Sequence, residues 1–203
     1  MTAKAALRTE MIARRDALPA SERERVAEAL MDLVVSLPQY AAAGTVLATM
    51  AIGSEWPTGP FLARAAADGK AVVLPRVTPP PRRLQLHAVW DLQRDLVPGV
   101  WDIPEPDPSR CEAVTLADVD FALVPALAAD REGFRLGYGA GYFDGLLTGR
   151  KARPFCVTAL PTAFIVARLP NEPHDVAVDL VLDERGIVFN GRTGVAPSGT
   201  GSK

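Results

Sequence analysis

Cysteine and histidine are scarce in this chain, with two of each among 203 residues. Cys111 and Cys156 lie far apart without metal-ligand spacing, and two histidines cannot complete a zinc set with them at any familiar interval. On count alone a disulfide stays open, with a reduced pair in a cytoplasmic protein as the expected state. Long apolar runs are absent too: none approaches the ~20 residues that span a bilayer. Charges within the first ten residues leave no room for a secretory apolar segment. Charge of one sign is also missing, since 22 basic and 24 acidic side chains leave −2. That balance gives no support to sequence-independent nucleic-acid binding. There is no internal repeat, and no Ser/His/Asp or Cys/His set of the kind used in nucleophilic catalysis. The expectation is a cytoplasmic monomer whose partners are small molecules, not nucleic acid or membrane.

What is present suits one domain. Apolar residues make up 48 % of the chain, and a domain of this size buries about 70 % of its unfolded surface. Leu7, Met11 and Leu18 recur near helical spacing in a helix from Ala3 to Ala17, which puts Lys4 and Arg8 on one face. Pro19 stops it. Ser21 with Glu24 then predicts a capping box and a second helix to about Leu37, ended by Pro38. Strands are expected at Thr45 to Ala51, Ala71 to Leu74, Leu84 to Trp90 (one face exposed), Phe121 to Val124, Phe155 to Ala159 and Val178 to Leu182. A helix is expected from Thr58 to Ala67, and Glu184-Arg185-Gly186 turns a last hairpin into Ile187-Val188-Phe189. Strands alternating with helices predict an α/β fold, a three-layer single domain over 1–190 with a largely parallel sheet flanked by helices. Residues 191–203 read as a disordered tail.

The most informative segment is Arg135-Leu136-Gly137-Tyr138-Gly139-Ala140-Gly141-Tyr142-Phe143-Asp144. Three glycines at alternate positions bare the backbone for close approach to a ligand and permit positive φ. The apolar strand Phe121 to Val124 precedes them, and a helical segment from Tyr142 to Leu147 follows. Such a loop is suited to phosphate. It is neither a P-loop, which needs Gly-Lys-Ser/Thr, nor a dinucleotide fingerprint, whose third glycine comes later. Arg135 and Asp144 supply charges of both signs, as a nucleotide–magnesium site requires.

With these residues in view the chain resembles the 5-formyltetrahydrofolate cyclo-ligase (methenyltetrahydrofolate synthetase) family. The stretch from Val124 to Asp130 and that from Gly133 to Asp144 look like its signature. The resemblance extends to Lys4, Arg8 and Arg14 to Leu18, to Gly69-Lys70 with Leu74 to Val77, to Pro98 through Pro106, and to Leu169 through Asp175. It implies an ATP- and magnesium-dependent closure of 5-formyltetrahydrofolate to 5,10-methenyltetrahydrofolate. Lys4, Arg8 and Arg135 would then be the catalytic cations. With Leu136, Gly137, Tyr138, Gly139, Ala140, Gly141, Tyr142 and Phe143 they would form the ATP site. Asp144 and Asp175 would hold Mg2+. The folate would meet Arg8, Glu55, Trp101, Tyr138, Gly139, Ala140, Gly141 and Tyr142, with Trp101 the stacking candidate.

Structural alternatives stand beside each assignment: surface ion pairs for Lys4 and Arg8, a helix cap for Asp144, core packing for Trp101, a turn for Asp130. The sequence also departs from the family pattern. Pro57 replaces a second acid after Glu55, removing a carboxylate expected at the pterin edge. Ala129, Phe164 and Ala140 stand where other residues are common, and Ala140 would be strained if its position required positive φ. These departures keep two other readings open, an ATP-dependent enzyme with a different second substrate and a non-catalytic nucleotide- or folate-binding module. A sugar-phosphate isomerase ranks last, because no Lys or His base is poised beside the loop.

Overall fold

The computed structural model describes residues 2–80, 83–149 and 153–191, apart from the Trp101 side chain. The expected tail from 192 onward lies outside the described residues. The helices are α1 (Ala3–Asp16), α2 (Ala20–Val35), α3 (Pro38–Ala42), α4 (Gly59–Ala67) and α5 (Tyr142–Leu147). The strands are β1 (Thr45–Leu47), β2 (Ala71–Val77), β3 (Leu84–Val89), β4 (Leu96–Pro98), β5 (Pro104–Pro106), β6 (Ala113–Val114) and β7 (Phe121–Leu123). They continue as β8 (Ala128–Asp130), β9 (Arg135–Leu136), β10 (Phe155–Ala159), β11 (Ile165–Val166), β12 (Leu180–Asp183) and β13 (Gly186–Asn190).

The main sheet runs β13-β12-β10-β7-β1-β2-β3-β6. Its five middle strands are parallel; β13 at one edge and β3 on the other side run antiparallel to them, and β6, paired antiparallel with β3, shares their direction again. Side chains alternate between faces along each strand, and the core divides accordingly. Val46, Val72, Phe121, Val157 and Leu180 meet α2, α3 and α4 through Leu30, Val34, Tyr40, Phe61 and Leu62. Leu47, Val73, Ala122, Cys156 and Val181 face the other way, onto Met11 of α1, Leu147 of α5, and a small sheet of order β11-β8-β9. The three-layer, largely parallel α/β architecture is therefore present, with a small sheet sharing one outer layer.

Chain order fixes where a ligand fits. From β1 the chain moves outward to β2 on one side, and β7 returns to pair with β1 on the other. The segments leaving the carboxyl ends of β1 and β7 diverge there, which opens a crevice.

Several sequence expectations need correction. No Ser21–Glu24 capping box forms, because Pro19 takes the N-cap position and its carbonyl accepts from Glu22 and Arg23. Ser21 is already inside the helix. Pro38 starts α3, with its fixed φ at the first helical position, instead of merely ending α2. The expected strand to Ala51 stops at Leu47. Beyond it Ala51 N donates to Thr58 Oγ1 and Ile52 N to Glu55 Oε2, so the backbone follows side chains away from the sheet. Strand β3 is less exposed than expected, since it pairs on both edges and buries His87 and Val89. Cys111 and Cys156 are both free and buried, and burial pushes the Cys156 thiol up to about 11.

Asp130 takes the turn role. Wholly buried, it accepts from Glu132 N (2.9 Å), Phe134 N (3.0 Å) and Leu169 N (3.0 Å). Each amide left without a partner costs about 1–3 kcal/mol. Asp130→Ala should therefore lower the free energy of urea unfolding by about 3 kcal/mol, with Asp130→Asn falling between it and the wild type. An unchanged urea midpoint would mean that water replaces the carboxylate.

Candidate active site

Helix α1 presents Lys4, Arg8, Met11 and Arg15 at intervals of four, three and four residues, one stripe of the helix. Met11 is buried in the core and pins the stripe to the protein. The three cations beside it then reach separate partners. Lys4 Nζ donates to Asp175 Oδ2 at 2.6 Å and to Glu172 Oε2 at 2.8 Å. Arg8 Nε donates to the Gly137 carbonyl at 2.8 Å. Arg15 Nη1 donates to the Tyr138 hydroxyl at 2.6 Å and Nε to Ser54 Oγ at 2.9 Å. The helix thus holds the glycine loop from one side.

Positive φ within that loop falls at Gly139 (103°) and Gly141 (68°), and Ala140 does not share it. The feared strain at Ala140 is absent. Gly139 is constrained twice, because a Cβ there would also come within 3.2 Å of the Arg8 guanidinium carbon. Arg135 enters from β9 with its side chain buried (3 % exposed). It donates to the Val176 carbonyl at 2.7 Å and to Asp144 Oδ1 at 3.2 Å, and the same oxygen accepts from Val176 N at 3.1 Å. Burial pulls the guanidinium below its ordinary value while Asp144 opposes the shift. A group that starts so high stays cationic.

These elements enclose a cavity of about 480 Å³, within the range that takes a small-molecule ligand. Its charged part carries Lys4, Arg8, Arg135, Asp144, Glu172, His174 and Asp175. Its apolar part is formed by Leu74, Pro75 and Val77 of β2, Leu84 of β3, and Ile103 and Pro104 at β5. Met50, Ile52 and Glu55 come from the segment after β1, and Pro125 from the end of β7. Glu172, His174 and Asp175 bring their ligating atoms within 4.8 Å of one another. Burial pushes the Asp175 carboxyl up, yet the Lys4 ammonium and the Glu172 amide outweigh it and hold it below the usual range. Lys4 loses to burial and gains more from those two carboxylates, ending above its ordinary value. The Tyr138 ring is half-exposed, but its hydroxyl end is enclosed; desolvation and Glu55 drive the phenol upward.

The 5-formyltetrahydrofolate cyclo-ligase family model matches residues 1–184. The chain belongs to this family. It is 35 % identical over 188 residues to the 5-formyltetrahydrofolate cyclo-ligase of Mycolicibacterium smegmatis, covering 91 % of this chain and 96 % of that one. With the cyclo-ligase of Mus musculus it shares 28 % identity over 191 residues, covering 90 % and 94 %. The solution structure of Aquifex aeolicus 5,10-methenyltetrahydrofolate synthetase superposes with a TM-score of 0.82 at 30 % identity, covering 96 % of each chain. Members so named are ligases, and the chain is an enzyme of that kind. No helix among the described residues is long and apolar enough to cross a membrane.

Of the site residues expected from sequence, Lys4, Arg8, Glu55, Arg135 to Asp144 and Asp175 all line the cavity. Trp101 sits in the turn Val100–Asp102, and its side chain lies outside the described residues. Pro57, Ala129 and Phe164 are not on the lining. Ala129 is core, and Phe164 packs edge-on against Trp56 at 5.3 Å. Asp144 stands apart from the Glu172–His174–Asp175 cluster and is tied to Arg135 instead. Sequence reasoning missed Glu105, Glu172, His174 and the role of Arg15. For Arg15 the signal existed, since it continues the Lys4–Arg8 stripe by two further turns.

Because the Asp175 carboxyl is depressed, the stabilisation from its pair with Lys4 is present above the ordinary carboxylate value. It is lost as pH falls through the depressed one. The Lys4 share is lost only as pH climbs through that group's raised value. Lys4→Gln should therefore lower the urea midpoint at neutral pH, with the gap to wild type closing in acid. A gap independent of pH would mean that the pair contributes no stability.

Proposed function

We propose that the chain converts 5-formyltetrahydrofolate to 5,10-methenyltetrahydrofolate, consuming ATP with magnesium and releasing ADP and phosphate. One observation carries this reading: Lys4, Arg8 and Arg135 line one cavity with the glycine loop and carboxylates, and the other part of that cavity is apolar. A polyphosphate suits the first part and a flat folate ring the second.

The formyl oxygen of an amide is a poor leaving group. Transfer of the γ-phosphoryl makes it a good one, as its new O–P bond forms and the bridging bond to ADP breaks. N10 of the same substrate then attacks the formyl carbon and gives up its proton, and phosphate departs with the former formyl oxygen. No protein nucleophile is needed. The task left to the chain is alignment and stabilisation of negative charge.

Arg135 is placed for that work, because its guanidinium is rigid, desolvated and fixed by Asp144 and Val176 before substrate arrives. Arg8 holds the loop through Gly137 and keeps further N–H groups on its fork. Lys4 offers a compact charge that can pass from Asp175 to a phosphate. Hard carboxylate oxygens at Asp144, Glu172 and Asp175 fit magnesium, which retains water and phosphate ligands beside one or two carboxylates. When bound, the ion neutralises phosphate charge. Arg15 is a positioning residue, acting through the Tyr138 hydroxyl on the loop. Ala129 and Phe164 are off the cavity lining, which weighs against their changing the second substrate, while Pro57 lines a small recess beside Glu55 and Tyr138.

Absorbance in the methenyl-folate band should rise only when 5-formyltetrahydrofolate, ATP and magnesium are all present. A flat trace with nucleotide bound would sink the reading. Arg135→Lys keeps a cation but loses the two-pronged grip, and should cut kcat/KM by about 10²-fold or more with the circular dichroism unchanged. Full activity would remove Arg135 from the reacting centre.

A further inference from the structure

Of the acidic residues on the cavity lining, Glu105 alone is buried, at 3 % exposure. It lies on β5, opposite Val97 of β4 in a two-stranded hairpin. Gly99 in that hairpin makes room for it, since a Cβ there would come within 2.2 Å of the Glu105 carboxyl carbon. Oε1 accepts one long hydrogen bond, from Val77 N at 3.3 Å. Oε2 is buried and accepts none. Arg76 Nη1 approaches Oε2 to 3.6 Å but donates instead to the Pro106 carbonyl at 3.0 Å. The carboxylate therefore has a counter-charge nearby and an oxygen still lacking a donor.

A buried carboxylate oxygen without a hydrogen bond is costly, and a ligand that brings the donor recovers that cost. Around Glu105 the cavity is an apolar slot of Leu74, Val77, Leu84, Ile103 and Pro104. The missing partner is thus a flat ring with N–H groups along one edge. The two substrates differ there. A 2-amino-4-oxo pterin puts its amino group and a ring N–H side by side, two donors for two oxygens. Adenine pairs its amino group with ring-nitrogen acceptors, whose lone pairs a carboxylate would repel. Glu55 is less suited, because it is half-buried with no oxygen sealed without a donor, and it lies against the Tyr138 hydroxyl.

We propose that Glu105 binds the 2-amino and ring N–H edge of the reduced folate and determines specificity for it, the role for which the chain offers no acid at Pro57. The inference rests on the cyclo-ligase reading above. It is tested by measuring kcat/KM for 5-formyltetrahydrofolate and for its 2-desamino-2-methyl analogue, with wild type and Glu105→Gln. Wild type should favour the parent compound by at least ~10-fold, since discarding the amino group leaves one carboxylate oxygen unpaired again. In Glu105→Gln the KM for the parent should rise ~10-fold or more while the KM for ATP stays unchanged, and the preference should shrink toward one. A purely structural Glu105, bracing β5 on β2 through Arg76, would depress both compounds equally and preserve their ratio; that result overturns the proposal. So does a wild type that treats the two alike. Should Glu105→Gln fail to fold, Glu105→Asp withdraws the carboxylate by one methylene and must likewise narrow the ratio. A wild type that binds ATP but converts neither compound would sink the cyclo-ligase reading itself, and this proposal with it.

Discussion

The site depends on one buried cation. Arg135 leaves the small sheet at β9 and spends its guanidinium on Asp144 of α5 and on the carbonyl of Val176. Three segments meet at that group: the strand before the glycine loop, the helix just after it, and, 41 residues on at Val176, the segment that carries Glu172, His174 and Asp175. A guanidinium so desolvated must be paired on every side that water cannot reach. The pairing therefore fixes the ends of the glycine loop before any ligand enters. Helix α1 completes the frame, with Arg8 on the Gly137 carbonyl and Arg15 on the Tyr138 hydroxyl.

The sheet supplies the place for this frame. Two-residue alternation splits each parallel strand between an inner layer of helices and a mixed layer of helices and small sheet. Because β1 feeds β2 on one side and is met by β7 on the other, the backbone segments beyond their carboxyl ends separate. The cavity occupies that gap. Its polarity follows from its walls: apolar side chains from the β2–β3 pair and β5, and charged ones from α1, the glycine loop and the 172–175 segment.

The glycine loop, its flanking Arg135 and Asp144, the Lys4–Arg8 pair and the parallel strands were legible from residues alone, because each depends on local spacing. Glu105 was not. Nothing in Ile103-Pro104-Glu105-Pro106 distinguishes a buried carboxylate from a solvated one. Its burial depends on Gly99 across a hairpin and on Val77 and Arg76 from a different strand. Glu172 and His174 were missed for the same reason, since only their approach to Lys4 and Asp175 gives them a role. Asp130 was ambiguous because a signature position and a turn look alike until the Leu169 amide is seen to donate to it from 39 residues away.

The sequence by itself determined the family, the α/β class and the phosphate-suited loop. Periodicity, glycine spacing and ordered motifs are properties of neighbouring residues, and they survive without a fold. Tertiary structure alone decided which charges face one another, which carboxylate lacks a donor, and that Pro57, Ala129 and Phe164 lie off the cavity lining. Those outcomes depend on burial and on distances between remote segments, and both quantities come into being only when the sheet closes its two faces.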